Sequence, residues 1–428
     1  MSEASAFIDR AAERYIDDTR ETLVWILSRL PPGAAGAATP VFIDTKVNPL
    51  TYEDYTRADA LRGPQYVYDW IQGRGLEAMC THAAFFESCD PRLAAELDVA
   101  IGRVRAALDE AVTAQGEAAF CRGPDGVARI AAGEGAGRAR RRAPGLRCYG
   151  DIFVNKGLIA AAWRQRDDVA LAHQLAVLAD IVDAVDEGRF LLDERHDMSA
   201  ADLVGQPDDL GPRMILLGAG ALLRRLGLDA HDDFSERFLA HVLEHHLDRR
   251  SGLLADTPGG TSCNVGHGIE LVGLAFETLR GRLTAAQERT LCEVLIAHAK
   301  AGLSSPGIAL TVDVPTGTPS SRYRPWWSLP ETIRAASLGL EASGRSELLS
   351  IWRCVDADYF EHYRRPLLPI AYQTLTIDGP VDHVPATPDL DPAYHTGLSL
   401  LAAVECVHRF AARVEPYTPF RTSVTAGI

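Results

Sequence analysis

One pattern governs what this chain can become. From near its first residue to near its last, segments with apolar residues at i, i+3, i+4 and i+7 follow one another, separated by short Gly, Pro and Asp connections. "PRLAAELDVAIGRVRAALDEAVTAQ", "IFVNKGLIAAAWRQ", "ALAHQLAVLADIVDAVDEG", "GPRMILLGAGALLRRLG", "DFSERFLAHVLEHHLD", "AAQERTLCEVLIAHAKAG", "PETIRAASLGLEAS" and "ELLSIWRCVDADYFEHY" all carry it. Short connections favour antiparallel helical neighbours. Strand signals are few and read as hairpins between helices, at Asp125-Gly126 and Asp378-Gly379. No low-complexity linker divides the chain, and no fixed short repeat is visible, which argues against an open helical array. The expectation is one all-α domain, Met1 to Ile428, folded as a closed α/α barrel of helical hairpins.

Charge narrows the partners. The 428 residues carry a net charge of −15, which speaks against nucleic acid or an anionic membrane surface as ligand. No apolar run approaches the ~20 residues of a membrane span. The N-terminal thirty residues are charged and amphipathic, so they read as a helix and not a signal peptide. The basic run "RARRR", Arg138 to Arg142, reads as a solvated loop. Eight cysteines occur singly, without C-x-x-C or a Cys/His cluster at zinc spacing, and read as reduced thiols of a cytoplasmic protein with no metal centre. Nucleotide-binding glycine motifs and H-E-x-x-H are absent as well.

The chemistry-bearing candidates sit at helix mouths. In "SCNVGHGIELVGLAFETL", Asn264 is a good N-cap and places His267 in the first helical turn. Val265, Ile269, Val272, Phe276 and Leu279 form one oily stripe, and His267, Glu270, Leu271 and Leu274 fall opposite. An inner helix of a double-layered toroid needs two such faces, one packed outward and one lining the central hole. "DPAYHTGLSLLAAVECVHRF" repeats the arrangement: Asp391 as N-cap, Pro392 at the first position, His395 in the first turn. A helix N-terminus disfavours imidazolium, so a histidine there suits a base near pH 7. For either histidine alone, an ordinary cap or surface role is the competing reading. Repetition of the placement is what favours chemistry.

Other candidates carry specific competitors. Trp326 and Trp327 in "RYRPWWSLPETIRAA" could stack on a sugar ring or simply anchor a loop. Glu331 follows Ser328 at capping-box spacing, which would spend its carboxylate on the backbone. Tyr149, just before a helix in "RCYGDIFVNKG", reads as a packing tyrosine or a ligand contact.

Taken in order, these blocks resemble the N-acylglucosamine 2-epimerase superfamily, which includes cellobiose 2-epimerases and aldose–ketose isomerases. "GHGIELVGLAFE" is similar to its G-H-x-I-E helix, "RPWWSLPETIRAA" to its W-W-x-x-x-E segment, "PAYHTGLSLL" to its late Y-H helix, and "CYGDIFVNKGL" to its Y-G-x-x-F segment. The likeness runs from roughly Val41 to Phe410. It implies an (α/α)6 barrel, a small sugar as substrate, and proton transfer beside the sugar carbonyl without a cofactor, in a chain that is a candidate homodimer. It makes His267 and His395 the acid/base pair and puts Tyr149, Glu270, Trp327 and Glu331 around the sugar. Departures accompany it. The family's early arginine has its nearest counterpart in Arg62, out of register; Arg213 and Ile215 stand where several members carry a further histidine; the tryptophan before the late histidine is missing. Arg62, Tyr149 and Arg213 are therefore the sequence's candidates for stabilising an enediolate oxygen. A carboxylate-pair glycoside hydrolase using Glu270 and Glu331 is the rival enzyme, and a non-catalytic binding protein the third reading.

Overall fold

The computed structural model describes residues 3–31, 41–365, 368–384 and 386–414. Twelve α-helices are found among them, in chain order α1 (Glu3–Ser28), α2 (Asp69–Phe86), α3 (Pro91–Gln115), α4 (Tyr149–Arg164), α5 (Asp168–Asp186), α6 (Leu210–Arg225), α7 (Ser235–His245), α8 (Val265–Thr278), α9 (Ala285–Gly302), α10 (Ser328–Ser343), α11 (Ser346–Asp358) and α12 (Ser399–Val414). The even-numbered helices pack on one another in sequence, and the π-turn Tyr394–Leu398 that leads into α12 packs on α2 and closes the ring. Each odd-numbered helix covers an even one from outside, α1 lying on α12. This is the (α/α)6 barrel.

Sequence dictates which layer each helix joins. Inner helices touch protein on every side and are apolar or small nearly all round. In α4, every residue from Gly150 to Ala162 is buried. Close approach of α2 and α4 depends on two glycines: a Cβ on Gly73 would lie 2.3 Å from the Phe153 carbonyl oxygen, and one on Gly157 would lie 2.4 Å from that of Gly73.

The helix α2 is absent from the periodicity reading, and the reason is physical. Its buried face carries Asp69, Gln72, Glu77, Thr81 and His82 among the apolar residues, which erases the stripe. Each of the first three polar groups has a structural partner. Asp69 accepts from Arg122 at 2.7 Å, Gln72 bridges both backbone groups of Ile43, and Glu77 meets Lys156 at 3.1 Å.

Strands are short, as expected. Thr374–Thr376 and Gly379–Pro380 form the hairpin at Asp378-Gly379, with Leu375 opposite Pro380. At Asp125-Gly126 the chain turns tightly, Gly126 taking φ 75° and the flanking Arg122 and Ala128 pairing as an isolated bridge. One expectation fails in part. The run Arg138 to Arg142 is only half a solvated loop: Arg138 and Arg141 are exposed, but the Arg140 and Arg142 side chains are buried, paired with Glu117 at 3.1 and 3.3 Å, and Arg142 also meets Asp151. Their charges are spent on acids that flank the start of α4. Six of the eight cysteines are buried and all are unpaired. No helix of the described residues is long and apolar enough to cross a membrane.

Candidate active site

At one end of the barrel the inner helices open onto a cavity of about 260 Å³, lined by residues from α2, α4, α6 and α8, by Trp326 and Trp327 just ahead of α10, and by the turn before α12. Asn264 caps α8 as expected, its side chain accepting from the His267 N–H at 3.2 Å. That fixes His267 at the mouth of the helix, with its imidazole on the cavity wall.

The second histidine arrives by a different local route from the one anticipated. Asp391 does cap the segment, accepting from the N–H groups of Tyr394, His395 and Thr396 at 2.9, 3.2 and 2.9 Å. Pro392 is not the first helical residue, however. Ala393 takes a left-handed φ of 63°, and the helix begins with the π-turn at Tyr394. His395 still lies in the first turn and lines the cavity.

Trp327 joins the two imidazoles. Its ring centroid is 5.4 Å from that of His267 and 5.5 Å from that of His395, so the two imidazoles are no more than about 11 Å apart. A Cβ on Gly266 would reach within 2.4 Å of this indole, so the glycine is what lets Trp327 lie against α8.

Glu331 escapes its competing role. Ser328 is already inside α10 and its hydroxyl donates to the Pro325 carbonyl, so no capping box forms. Instead Glu331 Oε1 lies 3.0 Å from His395 Nδ1 and Oε2 lies 3.1 Å from Arg334. A carboxylate can only accept, so Nδ1 carries the proton of a neutral His395 and Nε2 is the free base nitrogen. Glu270 is buried close by, 4.0 Å from the same Nδ1. Burial and the neighbouring Glu331 charge raise its carboxyl above the usual range, against the pull of His395 and His267.

Tyr149 lines the cavity too, its hydroxyl 3.5 Å from Asp209, which caps α6. Burial and Asp209 hold that phenol well above its ordinary value, so it stays a donor.

Arg62 and Arg213 are not brought to the site. Arg62 is exposed, bonded to Tyr55 and paired with Asp382 at 3.2 Å, because it sits in a surface turn ahead of α2. Arg213 pairs with Asp208 and covers the Phe238 ring, on the side of α6 away from the cavity, while its neighbours Met214 and Ile215 form the wall.

The arginine that does line the cavity is Arg74, one turn into α2. Its guanidinium lies 4.0 Å from the Phe153 ring centroid, 5.2 Å from Trp70 and 5.3 Å from Tyr394. Among the described residues no carboxylate pairs with it, and its Nε is buried without a partner. The missed signal is the pair Trp70 and Arg74, i and i+4 on one helical face. Trp326 contributes a second donor without a partner among the described residues, its buried indole Nε1.

Beneath the cavity the barrel axis is filled by charge. Lys156 donates to the Tyr394 hydroxyl at 2.6 Å, and Arg225 meets Glu277 at 2.9 Å. The floor is therefore polar, with a small cavity of about 30 Å³ among these charged side chains.

No family model and no curated protein sequence matches the chain. Solved structures do match. The cellobiose 2-epimerase from Spirochaeta thermophila DSM 6192 aligns at TM-score 0.70 with 16% identity, over 96% of this chain and all of that one. A D-mannose isomerase aligns at 0.68 with 14% identity, over 96% and 99%. An α-mannanase from Bacteroides thetaiotaomicron aligns at 0.51 with 12% identity, over 93% and 97%. What these likenesses establish is the barrel, and the same barrel carries more than one carbohydrate chemistry.

Proposed function

We propose that this protein is a sugar 2-epimerase or aldose–ketose isomerase working without a cofactor, by proton transfer between two histidines. One observation carries the reading: two imidazoles from distant parts of the chain lie against a single indole in one cavity that also holds a half-buried guanidinium with no ion-pair partner among the described residues. The cavity, at about 260 Å³, sits at the lower edge of small-molecule sites, which favours one sugar ring.

A hydrogen on the carbon beside an aldehyde is too weakly acidic for imidazole alone. General acid–base catalysis contributes about 10²–10⁴-fold, and a preorganised cation at the developing oxyanion must add to it. Arg74 meets that need. Its planar cation is packed against three aromatic rings, and among the described residues no carboxylate forms an ion pair with it, Glu270, Asp391 and Glu77 favouring its charge only from a distance. In the scheme, one imidazole takes the C2 proton, the C2–H electron pair becomes the C1=C2 double bond and the carbonyl π pair moves onto O1, giving an enediolate beside Arg74. Return of a proton to C2 from the opposite imidazole gives the epimer. Return to C1, with the O2 hydroxyl proton passing to O1, gives the ketose. Glu331 orients His395, Trp327 offers an aromatic face, and Tyr149 and Trp326 Nε1 donate to hydroxyls.

The hydrolase alternative fits less well. Ligating oxygens of Glu270 and Glu331 lie within 4.8 Å of one another and both face His395. Glycosidase carboxyls stand about 5–5.5 Å apart in retaining enzymes and about 6.5–9.5 Å in inverting ones. Incubation of an aldose and glycoside panel in heavy water separates the readings. Deuterium at C2, lost in His267→Ala and in His395→Ala with the helical circular dichroism intact, supports proton transfer. New reducing ends without deuterium favour hydrolysis, and no reaction of any sugar favours a binding protein.

A further inference from the structure

A second cluster of ligating side chains lies away from the cavity, where the end of α7 meets the loop entering α6. His241 Nε2 is 2.8 Å from Asp208 Oδ2, and His246 Nε2 is 3.9 Å from the same oxygen. His246 is the telling member. Its side chain has no solvent exposure, its Nδ1 lies 3.1 Å from the Ala255 carbonyl oxygen, and among the described residues its Nε2 has no hydrogen-bond partner. A carbonyl only accepts, so Nδ1 carries the proton and Nε2 presents a bare lone pair inside the protein.

We propose that Asp208, His241 and His246 form a binding site for a divalent transition-metal ion of the zinc class. Two imidazole nitrogens and one carboxylate oxygen are a donor set such ions take. The spacing suits them. With metal–ligand distances of about 2.0–2.2 Å, tetrahedral ligands stand about 3.4 Å apart, and the two observed separations fall on either side of that value. Outer partners are in place as well: the Ala255 carbonyl fixes the His246 tautomer, and Arg213 pairs with Asp208 Oδ1, leaving Oδ2 to the imidazoles. Asp208 and His241 are partly exposed, so a fourth position opens to solvent. The bound ion would tie α7 to the loop whose next residue, Asp209, caps α6 and accepts from Tyr149.

Calorimetric titration of chelator-stripped protein with Zn²⁺, and visible absorption with Co²⁺, tests this. The expected result is one ion per chain, with affinity lowered at least about tenfold in His241→Ala and in Asp208→Asn and unchanged in Glu331→Gln. Both weakened variants change partly exposed side chains, and circular dichroism verifies their fold. Absence of stoichiometric binding overturns the proposal, as does binding that survives both substitutions. Loss of binding in Glu331→Gln also overturns it, because the ion would then sit among Glu270, Glu331 and His395.

Discussion

His395 Nδ1 lies 3.0 Å from Glu331 Oε1, and the other oxygen of that carboxylate lies 3.1 Å from the Arg334 guanidinium. The three groups are buried in series, so the charge of Glu331 is compensated by Arg334 while its oxygen dictates which nitrogen of His395 is bare. Glu331→Gln keeps the shape and removes the charge, and a flipped amide can donate to Nδ1 and reverse the tautomer. The expected outcome is a kcat lowered about 10²–10⁴-fold with KM little changed, read on the sugar that exchanges C2 hydrogen. A variant with full kcat would detach Glu331 from the reaction.

Arg74 is assigned the enediolate oxygen. Arg74→Lys retains the charge but forfeits the flat stack on Phe153, and the ammonium is a smaller target reaching a different point. Turnover is expected to fall about 10²–10³-fold, the range for losing one oxyanion donor. Steady-state kinetics of the variant check this, with intact helical circular dichroism as the control.

Gly266 makes room for Trp327. In Gly266→Ala the new methyl meets the indole at 2.4 Å, and the ring shared by both histidines must shift. Stability is expected to drop by about 1–3 kcal/mol, with a larger proportional loss of turnover than of sugar binding. Near-ultraviolet circular dichroism of the tryptophans, thermal unfolding and a KM-against-kcat comparison report the three effects.

Glu194, behind Trp70 and Cys148, is fully buried and its carboxyl is pushed up to about 7 by desolvation, against the pull of its hydrogen bonds and Arg140. An unfolded glutamate titrates near 4.3. The folded state therefore holds this proton more tightly than the unfolded chain does. Its contribution to stability is complete below about pH 4, declines as pH rises toward 7, and is flat above that. The stability of wild type minus that of Glu194→Gln should fall by on the order of 3 kcal/mol between pH 4 and pH 8. Urea unfolding at a series of pH values measures it, and a pH-independent difference would contradict the assignment.

How much of this was legible in the chain depends on where each residue spends its polarity. The outer helices and the caps Asn264 and Asp391 announce themselves because half their surroundings are water or backbone. The helix α2 does not, since it is buried on all sides and carries polar residues paired within the core, and Arg74 was lost with it. The same logic explains Arg140 and Arg142: a run of like charges reads as solvated until distant acids fold against it. Glu331 shows the converse. Its local spacing offered a capping box, and a histidine 64 residues later in sequence took the carboxylate instead.

The two-histidine chemistry requires a sugar's reactive carbon to rest between His267 and His395. A crystal structure with the aldose that exchanges in heavy water should place C2 between His267 and His395, with a ring nitrogen of each within about 3.5 Å on opposite faces and the carbonyl oxygen against Arg74. A sugar bound with C2 remote from both imidazoles, or with its anomeric oxygen held between Glu270 and Glu331, would contradict it.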